Sequence, residues 1–221
     1  MAERVSPPEF SSEVEVAQIL LGDKVFSIAD YPKYIWSGGL LTPFYSNLRI
    51  LHGDLDGSTK VVDHFVSKMQ FAKRPDLLAG VVSAGPPWTK GVGDRLRIPQ
   101  VPVRPNPKDH GAGDQVEGIV NEGDTVVIME DTVSTGDGIL KSAEAIRAKG
   151  AIVDTAYAIF SYELFDSRKR LENAGIHLVT LTTLPDVLEV ADQHGYWPNE
   201  QVDFVKDWHK DPVAWADKFS T

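Results

Sequence analysis

The 221-residue sequence contains no cysteine. That excludes disulfides, thiolate metal sites and cysteine nucleophiles together, and it fits a reducing compartment. Long apolar runs are missing as well. No stretch approaches the roughly 20 apolar residues of a membrane-spanning helix, and residues 1–4 are polar rather than a charged lead into an apolar run. A cytoplasmic protein with no membrane partner is expected. Basic residues are outnumbered, 22 against 32 acidic ones, for a net charge of −10. Nucleic-acid binders carry a basic excess that displaces counterions from phosphates, so no nucleic-acid partner is expected. Three common signatures are also absent: the P-loop, the dinucleotide fingerprint Gly-x-Gly-x-x-Gly and the nucleophile elbow Gly-x-Ser-x-Gly. His52, His64, His177, His194 and His209 show no metal-type spacing and read as surface or satisfied core histidines.

What is present has the composition of an ordinary globular protein, with 42% hydrophobic and 24% charged residues. A chain of this length buries roughly 70% of its unfolded surface, enough for one sizeable core. We expect a single domain over 1–221, with a hood region at about 1–50, a core at 58–180 and C-terminal helices at 181–221. A helix from Ser12, with Ser12 and Glu15 as a capping box, ends near Gly22. Residues 36–43 form a Gly- and Pro-punctuated turn, and the aromatic run at 44–49 reads as a strand. Helical spacing of Val61, Val62, Phe65, Val66 and Met69 predicts a helix over 58–72.

From there the pattern turns regular. Short apolar runs at 77–82, 100–103, 125–129, 152–160 and 176–179 read as buried strands, with amphipathic segments at 89–96, 139–149 and 167–174 between several of them. Strands alternating with helices imply an α/β fold: a mostly parallel sheet flanked by helices, with ligands beyond the strands' carboxyl ends. Residues 184–221 read as two or three short helices carrying Trp197, Trp208 and Trp215 as packing anchors.

Three loops that follow strands could carry chemistry. The first is residues 126–138, where an apolar strand runs into Glu130 and Asp131, then Thr132, Val133, Ser134, Thr135, Gly136, Asp137 and Gly138, then a helix. Glycines let backbone approach a phosphate, amides at the helix start supply positive partial charge, and the two hydroxyls add donors. Two carboxylates can accept hydrogen bonds from vicinal sugar hydroxyls, so the implied ligand is a ribose bearing a phosphate. The alternative is an ordinary strand–turn–helix with Asp137 as N-cap and the acids solvated.

The second loop, residues 104–113, holds Arg104, Lys108 and His110 among prolines and glycines. It offers donors for a highly charged anion such as pyrophosphate, or else is a solvated loop whose charges do nothing. The third, residues 82–88 with Lys90 just beyond, could expose backbone amides to an anion or be only a turn. Lys90, Arg95, Arg97, Arg104 and Lys108 face only Asp94 between Gly85 and Asp109, a local cationic patch in an acidic body.

Together the three loops resemble the type I phosphoribosyltransferases, and within them the orotate phosphoribosyltransferases, over nearly the whole chain. Residues 128–138 are similar to the family's motif for phosphoribosyl pyrophosphate (PRPP), and 104–113 to its catalytic loop. Residues 37–49 are similar to its N-terminal segment. The resemblance implies a type I phosphoribosyltransferase-like sheet with a small N-terminal hood and a helical C-terminal tail. It implies phosphoribosyl transfer from PRPP to orotate, giving orotidine 5′-phosphate and pyrophosphate in pyrimidine biosynthesis. It further implies Lys108, Asp109, His110 and Asp131 as catalytic residues. PRPP contacts would come from Arg104, Lys108, His110, Lys90 and Glu130 to Gly138, with orotate meeting Ser134, Tyr45 and Ser37. Mg2+ would be held mainly through PRPP and not by side chains alone, and a homodimer would share the catalytic loop between subunits.

Four positions depart from the family pattern. Trp36 stands where members commonly have Lys, Pro105 where many carry a second Lys, Tyr162 where some place Arg, and Asp137-Gly138 where small or hydroxyl residues are usual. A carboxylate at Asp137 is unfavourable to a phosphate unless it turns away. These departures keep two other readings open: transfer to another nucleobase, and a PRPP- or nucleotide-sensing regulator without turnover. A flavin mononucleotide binder would explain the phosphate loop but not the cationic one.

Overall fold

A computed structural model describes residues 12–22, 25–36, 39–70, 73–107 and 114–219. Helix α1 (Ser12–Gly22) leads into two short antiparallel pairs, β1 (Phe26–Ile28) with β4 (Phe44–Ser46) and β2 (Tyr34–Ile35) with β3 (Leu41–Thr42). A 3-10 turn, Leu48–Gly53, buries Leu48 and Leu51 and precedes α2 (Leu55–Gln70). There follow β5 (Leu77–Val81), α3 (Gly85–Leu96), β6 (Gln100–Val103), β7 (Thr125–Val133), α4 (Asp137–Arg147), β8 (Ile152–Ser161), α5 (Ser167–Asn173) and β9 (His177–Thr183). Three helices end the chain, α6 (Leu184–His194), α7 (Asn199–Lys210) and α8 (Pro212–Asp217).

The five later strands form one parallel sheet in the order β6-β5-β7-β8-β9. Every residue of β5 is buried, as a parallel strand covered on both faces requires. The strand period of two sorts β7 between two cores. Val127 and Met129 join the aromatic-rich core made with α1, α2, α3, the hood strands and α6–α8. Val126 and Ile128 join an aliphatic core with Ile139, Ala143 and Ile146 of α4 and Leu171 of α5. The expected α/β architecture, hood and helical tail are all present.

Several expected boundaries move. The strand expected over 44–49 stops at Ser46, and Leu48 and Arg49 enter the 3-10 turn. Helix α2 starts earlier than residue 58 because the Asp54 carboxylate accepts from the amides of Asp56 (3.1 Å) and Gly57 (2.6 Å), a side-chain cap. Residues 71–72 lie outside the described residues. Ser12 is already helical, and Glu15 meets His64 Nε2 at 3.2 Å rather than closing a capping box. Strand β7 runs on to Val133, paired with β8 up to Val133 and Ser161, so Glu130 and Asp131 are strand residues rather than its terminus.

Candidate active site

The carboxyl end of β7 turns into α4 through residues 134–136. Gly136 makes the turn at φ +81°, a left-handed conformation that a side chain would strain, and its carbonyl accepts the first helical bond, from Leu140. The chain therefore presents Ser134, Thr135 and the amide-rich start of α4 to one spot. A carboxylate in such a turn repels phosphate, and here Asp137 is neutralised. Arg170 of α5 donates from Nη2 to Asp137 Oδ1 at 2.6 Å and from Nη1 to the Thr135 carbonyl at 2.7 Å. The Arg170 hydrogen bond is the main reason the Asp137 carboxyl lies below the usual aspartate range.

The hood closes over this turn and leaves a cavity of about 570 Å³. Asp131, Thr132, Ser134, Thr135, Asp137 and Gly138 line its floor, and Trp36, Tyr45, Ser46, Asn47, Arg49 and Tyr162 line the side beneath the hood. The two adjacent acids are not equivalent. Asp131 is in the cavity wall, with Oδ1 accepting from the Thr132 amide at 2.7 Å. Glu130 lies toward α4, and its Oε2 would be 3.3 Å from a Cβ placed on Gly138. Burial, reinforced by the Asp131 charge, pushes the Glu130 carboxyl well above the usual glutamate range; Arg49 opposes that shift.

Beyond β5, residues 82–84 lead into α3. Gly85 lets that helix start against β7, since a Cβ there would come within 2.6 Å of the Met129 carbonyl oxygen. Arg49 Nη2 donates to Ser83 Oγ at 3.3 Å, tying the hood to this loop. After β6, residues 103 and 116 form an antiparallel bridge, the Arg104 amide donates to the Gln115 carbonyl at 2.8 Å, and Gln115 Nε2 donates to the Arg104 carbonyl at 3.0 Å. The chain is thus pinned on either side of residues 108–113.

No protein-family model matches the chain. Individual proteins do. An orotate phosphoribosyltransferase of Listeria monocytogenes is 35% identical over 207 residues, covering 93% of this chain and 99% of its own length. One from Lactobacillus johnsonii is 31% identical over 209 residues, 94% of this chain and 98% of its own. The chain belongs to the orotate phosphoribosyltransferase family. A crystal structure of the orotate phosphoribosyltransferase of Aeropyrum pernix matches at 29% identity with a TM-score of 0.71, over 83% of this chain and 99% of that one. Leishmania donovani UMP synthase shares the fold at 21% identity and a TM-score of 0.77, with 90% of this chain matched to 42% of that one.

As a member of the orotate phosphoribosyltransferase family, the chain brings Tyr45, Asp131, Thr132, Ser134, Thr135, Asp137 and Gly138 of the expected site to one cavity. Val133 and Gly136 are buried behind it, and Glu130 is outside its wall. Lys90 is not brought there: its ammonium pairs with Asp94 one turn along the exposed face of α3. Arg104 forms a two-point contact with Glu117 Oε1, at 3.0 Å from both Nε and Nη2. Ser37, Lys108, Asp109 and His110 lie outside the described residues. Sequence reasoning missed Ser46, Asn47 and Arg49; their only signal was the polar ending of the aromatic run at 44–49. Trp36 and Tyr162, noted only as departures, are cavity walls.

Proposed function

We propose that this orotate phosphoribosyltransferase transfers the phosphoribosyl group of PRPP to orotate, releasing pyrophosphate and giving orotidine 5′-phosphate for pyrimidine biosynthesis. The observation that carries the reading is one cavity where a carboxylate, Asp131, stands beside a glycine turn at a helix start, under a hood, in a chain of this family. The turn at 134–138 takes the 5′-phosphate on its amides and hydroxyls, with Asp137 held aside by Arg170. Asp131 accepts from the ribose hydroxyls. Its charge also offsets the positive charge that grows on the ribose as the bond to pyrophosphate breaks and the orotate nitrogen bonds to C1. A single well-placed group of this kind is worth roughly 3 kcal/mol of barrier.

By sequence position, Lys108 and His110 supply cations to the departing pyrophosphate, with Asp109 beside them. Arg104 joins them by exchanging Glu117 for phosphate oxygens. No group of three or more His, Asp or Glu side chains able to cage a metal exists among the described residues. Mg2+ would be held mainly through PRPP oxygens, with Asp131 a cavity-lining carboxylate beside them, and it would supply neutralisation of the pyrophosphate. A homodimer in the cytoplasm, with the 104–113 loop serving the partner's site, completes the proposal.

The test is pyrophosphate release and nucleotide formation from PRPP, Mg2+ and one base at a time: orotate, uracil, hypoxanthine or adenine. Orotidine 5′-phosphate from orotate is expected, and no pyrophosphate with orotate sinks the reading. Mixing Lys108→Ala with Asp131→Asn protein should recover part of the activity if the loop is shared, since one site of each mixed dimer is then intact. No recovery at any ratio overturns the sharing.

A further inference from the structure

The C-terminal tail reaches the cavity through two consecutive residues of α7. Trp208 is fully buried and packs edge-on against Trp36 at 5.5 Å and against Tyr162 at 6.3 Å between ring centroids. His209 Nε2 lies 2.6 Å from the Tyr162 carbonyl oxygen, which can only accept, so Nε2 carries the proton and donates. Trp36 and Tyr162 are themselves 4.7 Å apart, and both are cavity walls. From the sequence His209 reads as a surface or satisfied core histidine; what satisfies it is the backbone of a cavity wall.

That wall stands at the start of an unusual stretch of chain. The β8 ladder ends at Ser161, and the Tyr162 amide donates to the Val133 carbonyl at 2.9 Å. Directly beyond, Glu163, Phe165 and Asp166 have φ of +54°, +55° and +51°, left-handed conformations that side chains disfavour. Such a turn persists only where its surroundings over-determine it. From the α5 side Arg168 grips Glu163, Nη2 to Oε1 at 2.7 Å and Nε to Oε2 at 3.2 Å, and donates from Nη1 to the Leu178 carbonyl at 2.7 Å. From the tail side the hold is His209.

The other end of the wall, the Tyr162 hydroxyl, is 2.8 Å from Ser46 Oγ on hood strand β4. A continuous chain of contacts therefore runs from α7 through Tyr162 to the hood over the cavity. Resting on the phosphoribosyl-transfer reading, we propose that His209 is a positioning residue for the reaction: it fixes the turn after β8 and, through the Tyr162–Ser46 pair, the seat of the hood. His209 itself is not among the residues that line the cavity. It acts on alignment, because displacement at the ribose C1 needs its reacting groups in line, and a small misplacement set up far from the chemistry costs rate.

The test compares two amides in the full chain. Gln brings its side-chain nitrogen near the position of Nε2 and can donate to the Tyr162 carbonyl, whereas Asn is shorter and falls short of it. In transfer from PRPP to orotate, His209→Asn should lower kcat about tenfold while the KM for PRPP stays within about twofold. His209→Gln should keep most of the wild-type kcat, at the same Tm as His209→Asn. Equal kcat in the two variants, or a loss that follows Tm, would make His209 purely structural and overturn the proposal, as would failure of His209→Asn to fold. The route through Tyr162 is read from a cycle with Ser46→Ala: the double variant should be little slower than His209→Asn alone, since both substitutions break one chain of contacts. Losses that multiply overturn that route and the proposal with it. Failure of the wild type to form orotidine 5′-phosphate would remove the reading beneath, which no His209 variant can do, so the two failures are distinguishable.

Discussion

Glu130 and Asp131 are consecutive carboxylates on one strand, and the two-residue period of β7 sends them to different surroundings. Glu130 continues the series Val126, Ile128 that faces α4, whereas Asp131 continues Val127, Met129 toward the hood and emerges in the cavity. Glu130 sits half-buried beside the first turn of α4, with Oε1 accepting from the Asp131 amide at 3.1 Å. Two acids that read as a matched pair in the sequence are therefore one group available to ligand and one group built into the junction of strand and helix. The lesson is that adjacency along a strand separates side chains rather than pairing them.

The sharpest way to break this contrast is to remove each charge without removing shape. Asp131→Asn should cut kcat by about a hundredfold or more, the usual scale for losing a charge aimed at the transition state, with Tm within a few degrees of wild type. A loss below about fivefold in steady-state kinetics would show that Asp131 is not the chemical member of the pair.

A third acid extends the comparison, because Asp137 lines the same cavity and is paired with Arg170; on the proposed reading, which puts phosphate at this turn, that pairing is what makes the carboxylate tolerable. Arg170→Ala should raise the KM for PRPP roughly tenfold, about 1.4 kcal/mol. Asp137→Asn in the same chain should restore most of the loss, since the removed cation then has no charge to cancel. Equal defects in the single and double variants would place Arg170 outside this role.

Glu130→Gln tests the other half of the contrast through pH. The folded state holds the Glu130 proton more tightly than the unfolded chain does. The wild type therefore loses stability as pH rises from the ordinary glutamate range toward the raised folded value, and keeps that deficit above it. Glu130→Gln carries no such deficit, so its Tm should exceed that of wild type at pH 8 by a few degrees. The difference should vanish at acid pH, below the ordinary glutamate range. Thermal melts across that window that run parallel would mean Glu130 is solvated like any surface acid.

These contrasts show which parts of the molecule were legible beforehand. The five sheet strands could be read because parallel strands covered on both faces are continuous apolar runs, as in Leu77 to Val81. Of the hood strands only β4 could be read, within the aromatic run at 44–49; β1, β2 and β3 could not, since two or three residues are too short to show a period and exist only through pairing, as Tyr34 with Thr42 does. Ser134, Thr135 and Asp131 were legible because the motif is local. Lys90 lies off the cavity lining, since sequence proximity to an anion loop says nothing of helical phase, and its ammonium pairs with Asp94 one turn away. Arg170, 33 residues beyond Asp137, and Arg49, which acts across the tip of β7, depend on tertiary folding and left no local mark.

The smallest expected effect is also the most direct probe of where Glu130 lies. Alanine is favoured over glycine within a helix by about 1 kcal/mol, and Gly138 is the second residue of α4. Against that gain, the new Cβ would stand 3.3 Å from Glu130 Oε2, a contact tight enough that the carboxylate must yield. The two effects oppose each other, so Gly138→Ala alone should leave stability within about 1 kcal/mol of wild type, or roughly 2–4 °C in Tm for a chain of this size. With Glu130→Ala already in place the contact is gone, and the same Gly138→Ala step should raise Tm. The non-additivity between the two substitutions, expected at 0.5 kcal/mol or more for side chains in contact, is therefore a measure of the contact itself. Additive Tm changes would mean that Glu130 does not face the start of α4, and the division of the two acids between cavity and junction would fail with it.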